Sequence, residues 1–154
     1  ARFPGDAESV HLRLFPNIPV DWQDDELAAK WSKVRELRRV VTGALEIERV
    51  EKRIGSSLQA HPIVHTTQAY LNVMAGVDGA EITITSDITL TEEAAPADAF
   101  TIEDVVGVSV VCATADGGKC ERCYKILPDV GVGAGSYDVC GRCLDAIKHH
   151  PVTD

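Results

Sequence analysis

The sequence predicts an α+β chain in three parts: a long amphipathic helix, a small mixed unit of strands and short helices, and a C-terminal knob built on four cysteines. Three observations carry this prediction. Apolar residues recur at spacings of three and four through residues 24–54, two β-branched runs stand beyond them, and four of the five cysteines fall in two C-x2-C pairs near the end. The expected boundaries are residues 1–56, 57–116 and 117–148.

Residues 9–20 are expected to be extended and irregular, because Pro16 and Pro19 forbid a helix and bias the preceding residues away from helical backbone. A helix should follow, with Asp21 as a capping residue and Asp24 and further acids in the first turn, where the helix dipole favours them. Leu27, Trp31, Val34, Leu37, Val41 and Leu45 form one apolar stripe, which places Trp31 in the core, and Gly55 is the expected stop. Residues 57–65 read as a strand interrupted at Pro62, and 66–75 as a short helix ending at Gly76. The run Glu81-Ile82-Thr83-Ile84-Thr85 alternates with period two and reads as a half-buried strand. Residues 92–99 read as a loop, and Val105 to Ala113 as another strand closed by the turn Asp116-Gly117-Gly118.

The formal charge is −9, from 15 Lys plus Arg against 24 Asp plus Glu, which argues against a protein that coats nucleic acid or anionic membrane by bulk attraction. The 45% hydrophobic and 25% charged fractions are ordinary for globular chains and exclude disorder or a collagen-like fibre. The charge is unevenly spread: residues 30–53 hold eight basic residues and four acids, whereas residues 54–110 hold eight acids and no Lys or Arg. Arg38, Arg39, Lys52 and Arg53 fall off the apolar stripe, as solvated charge or as contacts to a phosphate backbone. No apolar run reaches the ~20 residues of a membrane helix. The opening has neither Met nor an apolar signal segment, as expected of a piece of a longer, cytoplasmic polypeptide.

Cys120-Glu121-Arg122-Cys123 and Cys140-Gly141-Arg142-Cys143 are two knuckles separated by sixteen residues. Two residues between thiolates let both sulfurs of a tight turn reach one ion, and a second such turn completes a tetrahedron, so one structural zinc ion (Zn2+) is expected. The glycine-rich stretch from Asp129 to Tyr137 supplies the reversal between knuckles. Four sulfur ligands leave no open position for water, so the metal has no catalytic role. Lys119, Arg122, Lys125, Arg142 and Lys148 surround the ligands, either offsetting the negative charge of the metal–thiolate centre or offering contacts to an RNA backbone. Cys112 is expected in the core, and His61 and His65, four apart on a strand, lie too far from each other to share a metal. There is no catalytic triad, phosphate-binding loop, dinucleotide fingerprint or paired-carboxylate signature.

Beyond these local readings, Ser9-Val10-His11-Leu12, Phe15-Pro16, Trp31, Val34-Arg35-Glu36-Leu37-Arg38, Ala44-Leu45-Glu46 and the run from Lys52 to Ala60 resemble the end of the anticodon-binding region of bacterial isoleucyl-tRNA synthetases. Val108-Ser109-Val110-Val111, the run from Ala115 to Tyr124, Val130-Gly131 and Val139-Cys140-Gly141-Arg142-Cys143 resemble that family's C-terminal zinc finger. The resemblance implies that Cys120, Cys123, Cys140 and Cys143 are the zinc ligands, and that Tyr124 stands where the family commonly has Trp and packs on or near the anticodon arm. It further implies a parent enzyme that activates isoleucine with ATP and esterifies it onto its tRNA. The partners are then isoleucine tRNA and the rest of the synthetase. The HIGH and KMSKS motifs of that class are absent, so this segment alone has no catalytic site. Two other readings remain: a DNA-repair glycosylase-type finger, because similar fingers close those enzymes, and a zinc ribbon used for protein–protein contact.

Overall fold

The computed structural model describes residues 11, 15–132 and 137–149. Helix α1 (Asp25–Val50) begins where the Asp24 carboxylate accepts the Leu27 amide at 2.8 Å, so the cap is Asp24. Asp21 is not the cap; it lies in a 3-10 turn, Val20–Trp22, that follows Pro19. Gly55 is not the stop either. The Lys52 amide donates to the Arg49 carbonyl and the Arg53 amide to that of Glu48, with Lys52 in the left-handed region at φ 58°. That is a Schellman closure with lysine at the position glycine usually takes, and it ends the helix a turn earlier than expected.

The buried face of α1 is Val34, Leu37, Val40, Val41, Ala44 and Leu45. The first two turns carry none of the core: Leu27 is exposed and Trp31 is 36% exposed, which corrects the expected core tryptophan. The apolar stripe therefore continues past the surface it packs on.

Strand β1 (Ala60–Thr66) is the centre of a three-stranded sheet, flanked by β2 (Thr89–Thr91) in parallel and β3 (Val108–Thr114) in antiparallel orientation. The strand runs unbroken through Pro62. Val110 exchanges both backbone bonds with Phe100 on the far edge of β3. Its even-numbered neighbour Cys112 therefore also turns its amide away from β1, so Pro62, opposite Cys112, sits at a non-hydrogen-bonded position where its missing N–H removes no bond to β3. Pairing with β2 begins only at Ile63.

Helix α2 (Gln68–Met74) ends before Gly76, which takes φ 74°. The run expected as a strand is instead a short helix, α3 (Gly79–Thr83). Asp78 caps it by accepting the Glu81 amide at 3.0 Å, and Thr83 Oγ1, buried, donates back to the Gly79 carbonyl at 2.8 Å. Five alternating residues are too few to separate the two periods, and a cap plus a satisfied threonine decide for the helix. Ile84 leaves it at φ 57° with its side chain exposed. Residues 92–99 lie outside helix and strand, as expected.

The core-facing side of α1 lies on the sheet and on α2, and one apolar cluster takes in Val34 to Leu45 together with Ile54, Ala60, Val64, Tyr70, Met74, Val105, Val108 and Val110. The Phe100 ring reaches the α1 backbone at Gly43, where a Cβ would meet it at 2.8 Å. Beyond Thr114 the chain forms a second, smaller unit: hairpin β4 (Gly118–Lys119) and β5 (Ile126–Leu127), then helix α4 (Gly141–His149). Of the expected glycine-rich reversal, residues 133–136 lie outside the described residues. No helix among the described residues is long and apolar enough to cross a membrane.

Candidate metal centre and nucleic-acid face

The first knuckle is a tight turn held by its own backbone. The Cys120 amide donates to the Lys125 carbonyl and the Tyr124 amide to the Cys120 carbonyl, each at 2.9 Å. This closure needs Tyr124 in the left-handed region, at φ 64°. The hairpin meets at Gly117, whose φ is 119° and whose added Cβ would lie 2.3 Å from the Leu127 carbonyl, so glycine alone fits there. The second knuckle opens α4: Asp129 accepts the Gly141 amide at 2.8 Å, fixing the helix start, and Cys143 follows in the first turn.

These turns bring four sulfurs together. The Sγ atoms of Cys120, Cys123, Cys140 and Cys143 all lie within 4.8 Å of one another, and those of Cys123 and Cys140 are 3.8 Å apart. A regular tetrahedron with metal–sulfur bonds of about 2.3 Å has edges of about 3.8 Å, so the cluster has the size that one zinc-like ion demands. Cys120, Cys140 and Cys143 are buried and Cys123 is half-buried. The donor set is soft and complete, and it is able to hold a metal ion without a fifth group.

The electrostatics suit a cation. Burial works against a charge on Cys120, but the amides of Cys123, Cys140 and Arg122 outweigh it and bring this thiol down to about 6. Two of those amides point at its sulfur, Cys140 at 3.4 Å and Cys123 at 3.5 Å. Burial pushes Cys140 up to about 12 and raises Cys123 as well. The amides thus favour the charged form at Cys120, while burial favours the protonated form at Cys123 and Cys140, whose protons a bound metal would displace. Arg122 donates to the Cys143 sulfur at 3.7 Å, so this cation serves the thiolate cluster.

The other basic candidates separate into engaged and free. On α1, Arg38 donates to the Ile82 carbonyl at 2.8 Å and Arg39 pairs with Asp104 at 2.8 Å. Arg53 forms a two-pronged pair with Glu48 at 2.6 and 2.7 Å and also meets Glu51. Lys52 is exposed with no side-chain partner among the described residues. On the finger, Lys125 and Arg142 both reach Glu81 of α3. Lys119 stands over the Tyr124 ring at 5.4 Å, a cation–π contact on the outer surface, and Tyr124 is 57% exposed. Sequence reasoning did not single out Glu81, Asp129 or Arg35. Arg35 is exposed on α1, one turn before Arg39, and its i,i+4 spacing was the available signal.

His61 and His65 face β2 and its following loop, with His61 Nε2 2.8 Å from Thr89 Oγ1 and His65 Nδ1 3.0 Å from the Glu93 carbonyl, and neither joins the cysteine cluster. Cys112 is half-buried, its thiol pushed up to about 11 by burial and by Glu48. It packs, partly buried, against the body's apolar cluster.

No protein-family model matches the sequence. Among curated proteins the chain is similar to the isoleucine–tRNA ligase of Agrobacterium fabrum, 50% identical over 149 residues that make up 96% of this chain and 15% of the relative. It is 47% identical over 148 residues to the enzyme of the same name from Brucella abortus, again 96% of this chain and 15% of the relative. With the Mesorhizobium japonicum protein it shares 52% identity over 141 residues, 89% of this chain and 14% of the relative. The chain spans about 15% of the length of the curated relatives it matches. Over nearly its whole length, the chain is homologous to a segment of the isoleucine–tRNA ligases, in keeping with the resemblance to their C-terminal region.

Proposed function

We propose that this chain is the tRNA-facing C-terminal segment of a cytoplasmic isoleucine–tRNA ligase, and that its four cysteines hold one structural zinc ion. The zinc fixes the two knuckles, and the finger meets the anticodon arm of isoleucine tRNA. The parent enzyme attaches isoleucine to that tRNA at the expense of ATP, at an active site outside this segment. Remote contacts of this kind help because binding energy gained far from the reacting groups positions the acceptor end for reaction.

The observation that carries the reading is Tyr124. It is an exposed aromatic ring on the turn of the first knuckle, held in a left-handed conformation and covered by a lysine. An exposed ring beside a cation is the arrangement on which an unstacked base rests. Tyr124, Lys119 and Lys52, which has no side-chain partner among the described residues, are the leading contacts. Arg38, Arg39, Arg53, Arg122, Lys125 and Arg142 already hold acceptors within the chain, so part of their donor capacity is committed there.

The rest of the synthetase is the second partner. Phe15, Ile18, Val20 and Trp22 are largely exposed and lead into the overhanging turns of α1, where Leu27 and Trp31 continue the apolar strip. A strip of that size in water calls for a covering surface, and in a protein of the relatives' length, more than six times that of the matched segment, the remaining chain would provide it.

The test is Tyr124→Ala in the full-length synthetase. Loss of one stacked base is worth about 1–3 kcal/mol, so kcat/KM for isoleucine tRNA should fall about 5- to 150-fold while ATP-dependent isoleucine activation is unchanged. An unchanged kcat/KM for tRNA would remove the finger from tRNA recognition.

A further inference from the structure

We infer that Glu81 is a positioning residue that latches the metal finger onto the body of the chain. Its Oε1 accepts the Lys125 Nζ at 3.1 Å and an Arg142 guanidinium nitrogen at 2.8 Å. Lys125 lies two residues beyond the first knuckle, and Arg142 lies inside the second. One carboxylate oxygen therefore holds a cation from each half of the cysteine cluster. Two like charges are drawn to a single point only where an anion sits between them and the two knuckles are already side by side. Glu81 thus engages both knuckles at one point and orients the assembled cluster against the body.

The surroundings fit a latch. The Lys125 side chain is 15% exposed and that of Glu81 46%, so the pair is shielded from water on the lysine side. Lys125 and Arg142 together hold the Glu81 carboxyl below the usual carboxylate range. A second tie runs beside it: the Ile126 amide of β5 donates to Ser86 Oγ at 2.6 Å, and that hydroxyl donates to the Leu58 carbonyl at 2.5 Å. Ser86 is buried, so this relay from finger to body stands clear of solvent. The covalent link is a few residues around Gly117, so these side-chain ties set the finger's orientation. With Lys125 and Arg142 turned toward the body, Tyr124 and Lys119 remain on the outer surface. For the tRNA-binding reading on which this consequence rests, Glu81 fixes the direction in which the ring points.

The experiment compares the 15N-labelled, zinc-loaded chain with its Glu81→Gln variant. Zinc content is measured on both, and backbone 15N relaxation is read separately for body amides (residues 34–114) and finger amides (118–127 and 137–147). In the parent chain both sets should report one rotational correlation time. In Glu81→Gln the zinc stays at one per chain, while the finger's correlation time shifts below the body's, and raising salt moves the parent chain in the same direction. Common tumbling in a variant that keeps its zinc would overturn the inference. Loss of zinc from the variant would also overturn it, by making Glu81 part of cluster assembly and not of orientation. Zinc content of the parent chain reports on the metal reading by itself, so its failure is distinguishable from failure of the latch.

Discussion

The body and the finger solve the same problem with different chemistry. Among the described residues, a cluster of fourteen buried apolar or aromatic residues holds the body together, drawn from α1, the sheet, α2 and the connecting residues Ile54 and Val105. The finger's buried core is Val139 and three cysteines, with Cys123, Leu127, Val130, Leu144 and Ile147 partly covered around them. Burying a Val or Leu side chain contributes about 1.5–3 kcal/mol. Among the described residues the finger has one buried aliphatic side chain, Val139, so apolar burial contributes far less to it than to the body. On the proposed reading metal–sulfur bonds supply what apolar burial does not, and the finger's fold is then conditional in a way the body's is not.

The largest expected effect follows from that contrast. Stripping the metal with a chelator should abolish amide protection over residues 118–147 and leave protection of β1, β3 and α1 in place. The free energy at stake is on the order of 10–16 kcal/mol, the apparent contribution of structural zinc in finger peptides. Hydrogen exchange on the loaded and stripped chain measures this directly. A finger that stayed protected without metal would erase the distinction between the two regions.

The converse experiment targets the body. Leu37 is fully buried at the centre of the α1 face. Leu37→Ala should cost about 2–5 kcal/mol, because the transfer loss is joined by a cavity that neighbours only partly fill. Thermal unfolding followed through the body's amides should shift down accordingly, while zinc content below the transition remains at one per chain. Loss of zinc from a variant whose body is still folded would mean that the finger's stability runs through the apolar core after all.

The same contrast explains what could be read in advance. The cysteine cluster was legible because its signal is local: ligand spacing within each knuckle is set by the turn that presents both sulfurs. The buried centre of α1 was legible from spacing too, but not its overhang, since the periodicity of Leu27 and Trp31 is identical whether or not a surface lies beneath them. The helix end was missed because the left-handed position fell to Lys52, a residue with no propensity for it. The fate of the cations was the least legible. Arg39 pairs with Asp104, and Lys125 and Arg142 pair with Glu81, across 44 to 65 positions of sequence. The acidic middle segment, free of Lys and Arg, supplies the anions on which basic residues from both flanks settle. A charge partition visible in the sequence thus becomes a set of ties between regions, and it reads as a search for an external polyanion only until the partners are in place.

The smallest effect isolates backbone from side chain at one equivalent site in each region. Lys52 in the body and Tyr124 in the finger both adopt left-handed backbone, at φ 58° and 64°. For an L-residue that conformation costs about 1–2 kcal/mol, and glycine escapes it at an entropic penalty of about 0.5–1 kcal/mol. Lys52→Gly should therefore stabilise the body by up to about 1 kcal/mol, a rise in Tm of about 2–4 °C for a chain of this size. Tyr124→Gly removes the same strain from a unit held by metal, so its gain should appear as tighter zinc binding, by less than about tenfold, with the body's transition unmoved. A fall in Tm for Lys52→Gly would show that the lysine side chain contributes more than its backbone gives up. A change in the body's transition for Tyr124→Gly would show that strain in the first knuckle is transmitted through Glu81 and Ser86, joining the two regions into one cooperative unit.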